Sequence, residues 1–99
     1  MKKRLEVHWS HEALLRVDKI IMFLEEHWTS REIIAFLRAL RRFERLVAIS
    51  PFIYPVSELK QGCRRAVISK QISVLYSIDE SIVKIHSVFD NRQDPEKAG

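Results

Sequence analysis

The 99-residue sequence predicts a single α+β domain: an N-terminal strand, a helix hairpin, then an antiparallel sheet packed on the helices. Three observations carry that prediction. "RLEVHW" alternates Leu5, Val7 and Trp9 against Arg4, Glu6 and His8, the period of a half-buried strand. Two segments then repeat apolar residues every three or four positions, the signature of amphipathic helices. The second half returns to alternation in three short runs separated by turn-forming residues.

Ser10 stands where the first helix needs an N-cap, and Glu12 falls near its positive end. Leu14, Val17, Ile20, Ile21, Leu24 and Trp28 form its apolar stripe. Thr29 to Glu32 reads T-S-R-E, a capping box that starts a second helix. The second stripe runs through Ile33, Leu37, Leu40, Phe43 and Val47, thickened by Ile34, Phe36 and Leu46, and leaves Arg31, Arg38, Arg41, Arg42 and Arg45 off the buried face. Each helix is expected to cover the other's stripe. Pro51 and Pro55 end the second helix and mark a connection anchored by Phe52, Ile53 and Tyr54.

Strands are expected at 63–69, 72–78 and 82–89. Matching the apolar faces of the last two, with Ile78 opposite Ser81, pairs Tyr76 with Val83 and Val74 with Ile85. On the other face Leu75 then meets Lys84 and Ser73 meets His86, with Asp90 pointing the same way and Phe89 pointing inward. That register puts His86 and Lys84 on the side away from the helices.

Composition narrows the function classes. Hydrophobic residues make up 46% of the chain and glycine occurs twice, which suits a packed core and excludes disordered or collagen-like classes. Seventeen Lys and Arg against thirteen Asp and Glu give a net charge of +4, a modest bias toward polyanions. Cys63 is the single cysteine, so no intrachain disulfide forms, and a reducing, cytoplasmic setting is expected. The longest apolar run, Ile20 to Leu24, is far short of the roughly 20 residues of a membrane span. The four histidines show no metal-ligand spacing, and no cofactor is expected.

The opening "VHWSHEA", the "YP" before the sheet, "CRRAVISKQISVLYSI" and above all "VFDNRQDP" together resemble the RelE/ParE family of bacterial toxins, over nearly the whole chain. The resemblance implies the toxin of a type II toxin–antitoxin module, held inactive by a cognate antitoxin. Two activities divide that family. RelE-like members are ribosome-dependent endoribonucleases that cut mRNA, and ParE-like members poison DNA gyrase without chemistry on nucleic acid. A divergent, non-toxic member that binds a protein or RNA partner is the alternative.

Cleavage by a ribose 2′-hydroxyl needs a proton acceptor, cations for the developing phosphorane charge and a proton donor for the leaving oxygen, with no metal. His86, Arg65 and Arg92 are the candidate catalytic residues, and Lys70, Lys84 and Asn91 the candidate target-binding ones. Two departures count against that chemistry: RelE-like ribonucleases usually carry arginine where this chain has Ser73, and many add aromatic or histidine residues where this chain has "QDPEKAG". Arg65, on a neighbouring strand, is the side chain that would have to fill the Ser73 gap. Met22, Phe23 and Leu59 are candidate apolar contacts for the antitoxin, with core packing the other role for Phe23.

Overall fold

The structure, a computed structural model, describes residues 4–91. The element order is β1 (Glu6–Trp9), α1 (His11–His27), α2 (Ser30–Ile49), β2 (Arg64–Val67), β3 (Ile72–Asp79) and β4 (Ile82–Asp90). Both helix starts obey local chemistry. The Ser10 hydroxyl accepts from the Ala13 N–H at 3.0 Å, and the Glu32 carboxylate accepts from the Thr29 N–H at 3.1 Å and from the Thr29 hydroxyl. Those bonds also hold the Glu32 carboxyl below its usual pKa.

Four strands form one mixed sheet in the order β1-β4-β3-β2. The three C-terminal strands are antiparallel, as the alternation predicts, and β1 joins them in parallel beside β4. A bond from the Leu5 N–H to the Ala48 carbonyl, 2.8 Å, ties the start of β1 to the end of α2.

Phe36, Leu40, Phe43 and Val47 of α2 are buried together with Val74 and Tyr76 of β3 and Val83, Ile85 and Val88 of β4. The rings of Phe43, Tyr54 and Tyr76 cluster at one end, Phe43 and Tyr76 edge to face with centroids 5.5 Å apart. Tyr76 is fully buried, donates its hydroxyl to the Pro51 carbonyl at 2.7 Å, and has its pKa pushed up to about 12 by burial.

The helices do not close over each other as expected. α2 buries Phe36, Leu40, Phe43 and Val47 but leaves Ile34 and Leu37 of its expected stripe exposed, and α1 buries only Ala13 fully and leaves Leu14 (50%), Leu15, Met22 and Phe23 (42%) exposed. Both helices pack on the sheet: α1 lays Val17, Ile20, Ile21 and Leu24, partly buried, against the same core, and its other side faces solvent. Phe23 stacks on His27 with ring centroids 4.3 Å apart and is not a core residue. Among the described residues no helix is long and apolar enough to cross a membrane.

Candidate functional site

The face of the sheet away from the helices is organised by a bulge in β4. Tyr76 pairs with Ile85 but Leu75 pairs with Ser87, which leaves His86 as an extra residue. The expected register is therefore corrected in two steps. β3 runs to Asp79, which pairs with Ile82 across a turn where Glu80 takes a φ of 56°, so Ile78 meets Val83 and Ser77 meets Lys84. Beyond the bulge the alternation inverts: Val88 pairs with Val74 on the core side, Phe89 pairs with Ser73 on the outer side, and Asp90 pairs with Ile72. The expected inward Phe89 and outward Asp90 are thus exchanged.

Ser10 holds the bulge. Its hydroxyl donates to the His86 carbonyl at 3.0 Å while accepting from the first turn of α1, and its N–H donates to the Ile85 carbonyl at 2.9 Å. One side chain thereby caps a helix and satisfies a backbone group that the bulge removes from the ladder. The His86 ring turns to β3, with Nε2 2.7 Å from the Ser77 hydroxyl and not beside Ser73. Burial, then the charges of Lys60 and Lys84, lower its pKa, opposed by Glu12. A neutral imidazole is the result, suited to accept a proton. Lys84 is itself engaged, its ammonium 3.1 Å from the Asp79 carboxylate.

Arg65 belongs to a second network. Its Nε donates to the Ser73 hydroxyl and its Nη2 to the Asn91 side-chain oxygen, each at 3.2 Å, and its guanidinium lies 5.2 Å from the centre of the Phe89 ring. Arg65 does reach the Ser73 position. The Ser73 hydroxyl also donates to the Asn91 oxygen, the Asn91 amide donates to the Lys70 carbonyl at 3.1 Å, and the Asn91 backbone N–H donates to the Gln71 carbonyl at 2.6 Å. Ser73 is fully buried and Asn91 is 4% exposed, so Asn91 is a latch between the end of β4 and the β2–β3 turn.

The candidate residues thus fall into two groups. Asn91, Arg65 and Lys70 come together, Lys70 through its backbone carbonyl, while His86 and Lys84 lie near Ser77. Arg92 lies outside the described residues. The two networks centre on Ser73 and Ser77, four residues apart on one strand, or about 13 Å at strand rise. Sequence reasoning missed Ser77 and Lys60 as neighbours of His86; a register two residues later pairs Ser77 with Lys84 and sets it diagonal to His86, the bulge brings the imidazole to it, and nothing local marks Lys60.

No family model matches the sequence, and no curated protein matches it either. Solved structures do. A chain of the chromosomal ParDE toxin–antitoxin system of P. aeruginosa superposes with a TM-score of 0.75 at 11% identity, covering 90% of this chain and 98% of that one. The fold is that of RelE/ParE toxins. A chain of the E. coli DinJ–YafQ toxin–antitoxin complex matches with a TM-score of 0.60 at 11% identity, covering 90% of this chain and 94% of its own. The Helicobacter pylori protein HP0894 matches at 0.62 and 12% identity, covering 89% and 96%. At such identities the RelE/ParE likeness speaks for architecture, and the site has to be argued from its own residues.

Proposed function

We propose that this protein is a type II toxin neutralised by a cognate antitoxin, and that it acts as ParE-like inhibitors of DNA gyrase do, by binding a protein target and not by cutting RNA. The observation that carries the reading is the separation of His86 from Arg65. In-line attack by a 2′-hydroxyl needs its proton acceptor and its cation within about 3 Å of one phosphate group. Here the imidazole is turned to Ser77, and the guanidinium is engaged by Ser73 and Asn91 at the other end of β3. A binding surface has no such requirement.

The antitoxin has a suitable groove. A cleft of about 620 Å³ opens between α1, α2 and the end of the sheet, lined by Phe23, Leu24, Trp28, Phe36, Ile72 and Val88 among others. It fits the apolar side of a partner segment. The toxin released from its antitoxin is tested in two assays, gyrase supercoiling and ribosome-dependent mRNA cleavage. The expected result is lost supercoiling with cleaved DNA complexes and intact transcripts, unchanged in His86→Ala. Transcript cleavage abolished by His86→Ala, with gyrase unaffected, refutes it.

One observation favours the ribonuclease reading. The lowered pKa of His86, with Lys60 and Lys84 in electrostatic range, would suit a proton acceptor beside a phosphate. The same two assays decide between the readings.

A further inference from the structure

We propose that the exposed side of α2 is a docking surface for the backbone of duplex DNA, held by the guanidinium groups of Arg38, Arg41, Arg42 and Arg45. The four positions are spaced three, one and three residues apart, so at about 100° per residue they share one side of the helix. That side is opposite the buried Phe36, Leu40, Phe43 and Val47, and all four arginines are exposed.

The row carries an excess of positive charge. None of the four forms an ion pair with a described residue. Of the two carboxylates of α2, Glu32 holds the Thr29 cap, and Glu44, which lies beside Arg38 and Arg41 and keeps its charge while accepting from the Trp9 indole N–H at 3.3 Å, offsets one of the four arginines at most. Five arginines less two glutamates give α2 a charge of +3, most of the chain's +4. Like charges three and four apart oppose helix formation, and a face needed only for solubility mixes signs. A row of guanidiniums without an ion pair among the described residues is an arrangement that phosphates match, because each planar fork can take two phosphate oxygens.

Duplex fits better than single strand because the one aromatic side chain among the described residues beside Arg38 and Arg41 is Trp9, which is half-buried and tied through its indole N–H to Glu44, and the exposed Ile34 and Ile49 offer no ring on which bases could stack. DNA fits better than RNA because the phosphate walls of the B-form major groove stand about 12 Å apart, a distance that a helix lying across the groove can match, whereas the A-form groove is deep and narrow. From Arg38 to Arg45 the row spans about 10.5 Å along the helix, so its end residues reach the two phosphate walls of that groove. The inference is independent of the target reading, since the row is the same whether the toxin meets gyrase or the ribosome.

The test is fluorescence anisotropy of a labelled short DNA duplex of arbitrary sequence with the full-length protein, between about 50 and 200 mM salt. Four phosphate contacts predict a slope of log K on log salt of about −3.6 and a dissociation constant on the order of 10⁻⁵ M. Arg41→Gln with Arg42→Gln lowers the slope by about 1.8, while the same two positions changed to Lys keep it and Arg16→Gln with Lys19→Gln leaves it unchanged. If circular dichroism shows the first pair unfolded, Arg38→Gln with Arg45→Gln takes its place. A slope that a folded glutamine pair does not move overturns the proposal, as does tighter binding to duplex RNA or to an acidic peptide.

Discussion

Replacing Asn91 with alanine should unfold the protein more readily without touching its target surface. The substitution removes one hydrogen bond from each of three groups: the Lys70 carbonyl, the Ser73 hydroxyl and the Arg65 guanidinium. The Lys70 carbonyl loses an ordinary hydrogen bond, about 1 kcal/mol net, and the fully buried Ser73 hydroxyl loses about 1–2 kcal/mol because no water replaces the missing acceptor. Arg65 is only partly buried, so its N–H recovers hydration and adds little. The sum is about 2–3 kcal/mol, or roughly 10–20 °C in Tm for a domain of this size. Urea unfolding gives the free energy directly, provided the slope with denaturant is unchanged. The double variant Ser73→Ala, Asn91→Ala supplies a further check: the two residues share a bond, so the pair should cost about 1 kcal/mol less than the sum of the singles. A loss below about 1 kcal/mol in Asn91→Ala, or full additivity, would refute the latch and return Asn91 to the list of target-binding residues.

Other predictions follow from the bulge and the core. The folded pKa of His86 lies below its unfolded value, so the folded state binds fewer protons and stability falls as pH drops through about 6.5; His86→Gln should flatten the urea midpoint between pH 7.5 and 5.5. Ser10→Ala removes both a helix cap and the donor to the His86 carbonyl, and should cost about 1–2 kcal/mol in thermal unfolding, more than an exposed cap alone. Tyr76→Phe deletes the hydroxyl that serves the Pro51 carbonyl and should cost about 1 kcal/mol while also removing the tyrosine that titrates only near pH 12, visible by ultraviolet absorbance.

How much of this could be read in advance depended on the range of the signal. Ser10, Thr29 and Glu32 announce the helices because capping is chemistry between residues three apart, and the structure starts α1 and α2 where they stand. The alternation in β3 and β4 revealed the strands for the same reason. The bulge at His86 stayed hidden because Val88 and Phe89 are both apolar, so either one could be assigned to the core and the inversion left no mark. The parallel pairing of β1 with β4 has no local trace, being a contact between residues 76 apart such as Glu6 and Ile82. For the candidate site, alternation suffices to put His86 and Lys84 on the side away from the helices, whereas the reach of Arg65 to Ser73 depends on side-chain geometry that no sequence pattern carries. The burial of Ser73 and Asn91 was not foreseeable, because polar residues at the end of a strand read as solvent-facing until their partners are known. The exposed apolar side of α1 is legible in part: Met22 and Phe23 stand off the stripe of Val17, Ile20, Ile21 and Leu24 and are indeed exposed, whereas Leu14 sits on the stripe and is exposed all the same.

The parallel seam between β1 and β4 also bears on the protein's birth. β4 sits inside the sheet, with β1 on one flank and β3 on the other, yet among the elements of the fold it is the last to leave the ribosome. Until it emerges, β1 has no strand to lean on and Tyr76 has one open side. A chain built in this order cannot close its sheet or seal its core before β4 is free, so any partner that reads either surface meets it only from that moment.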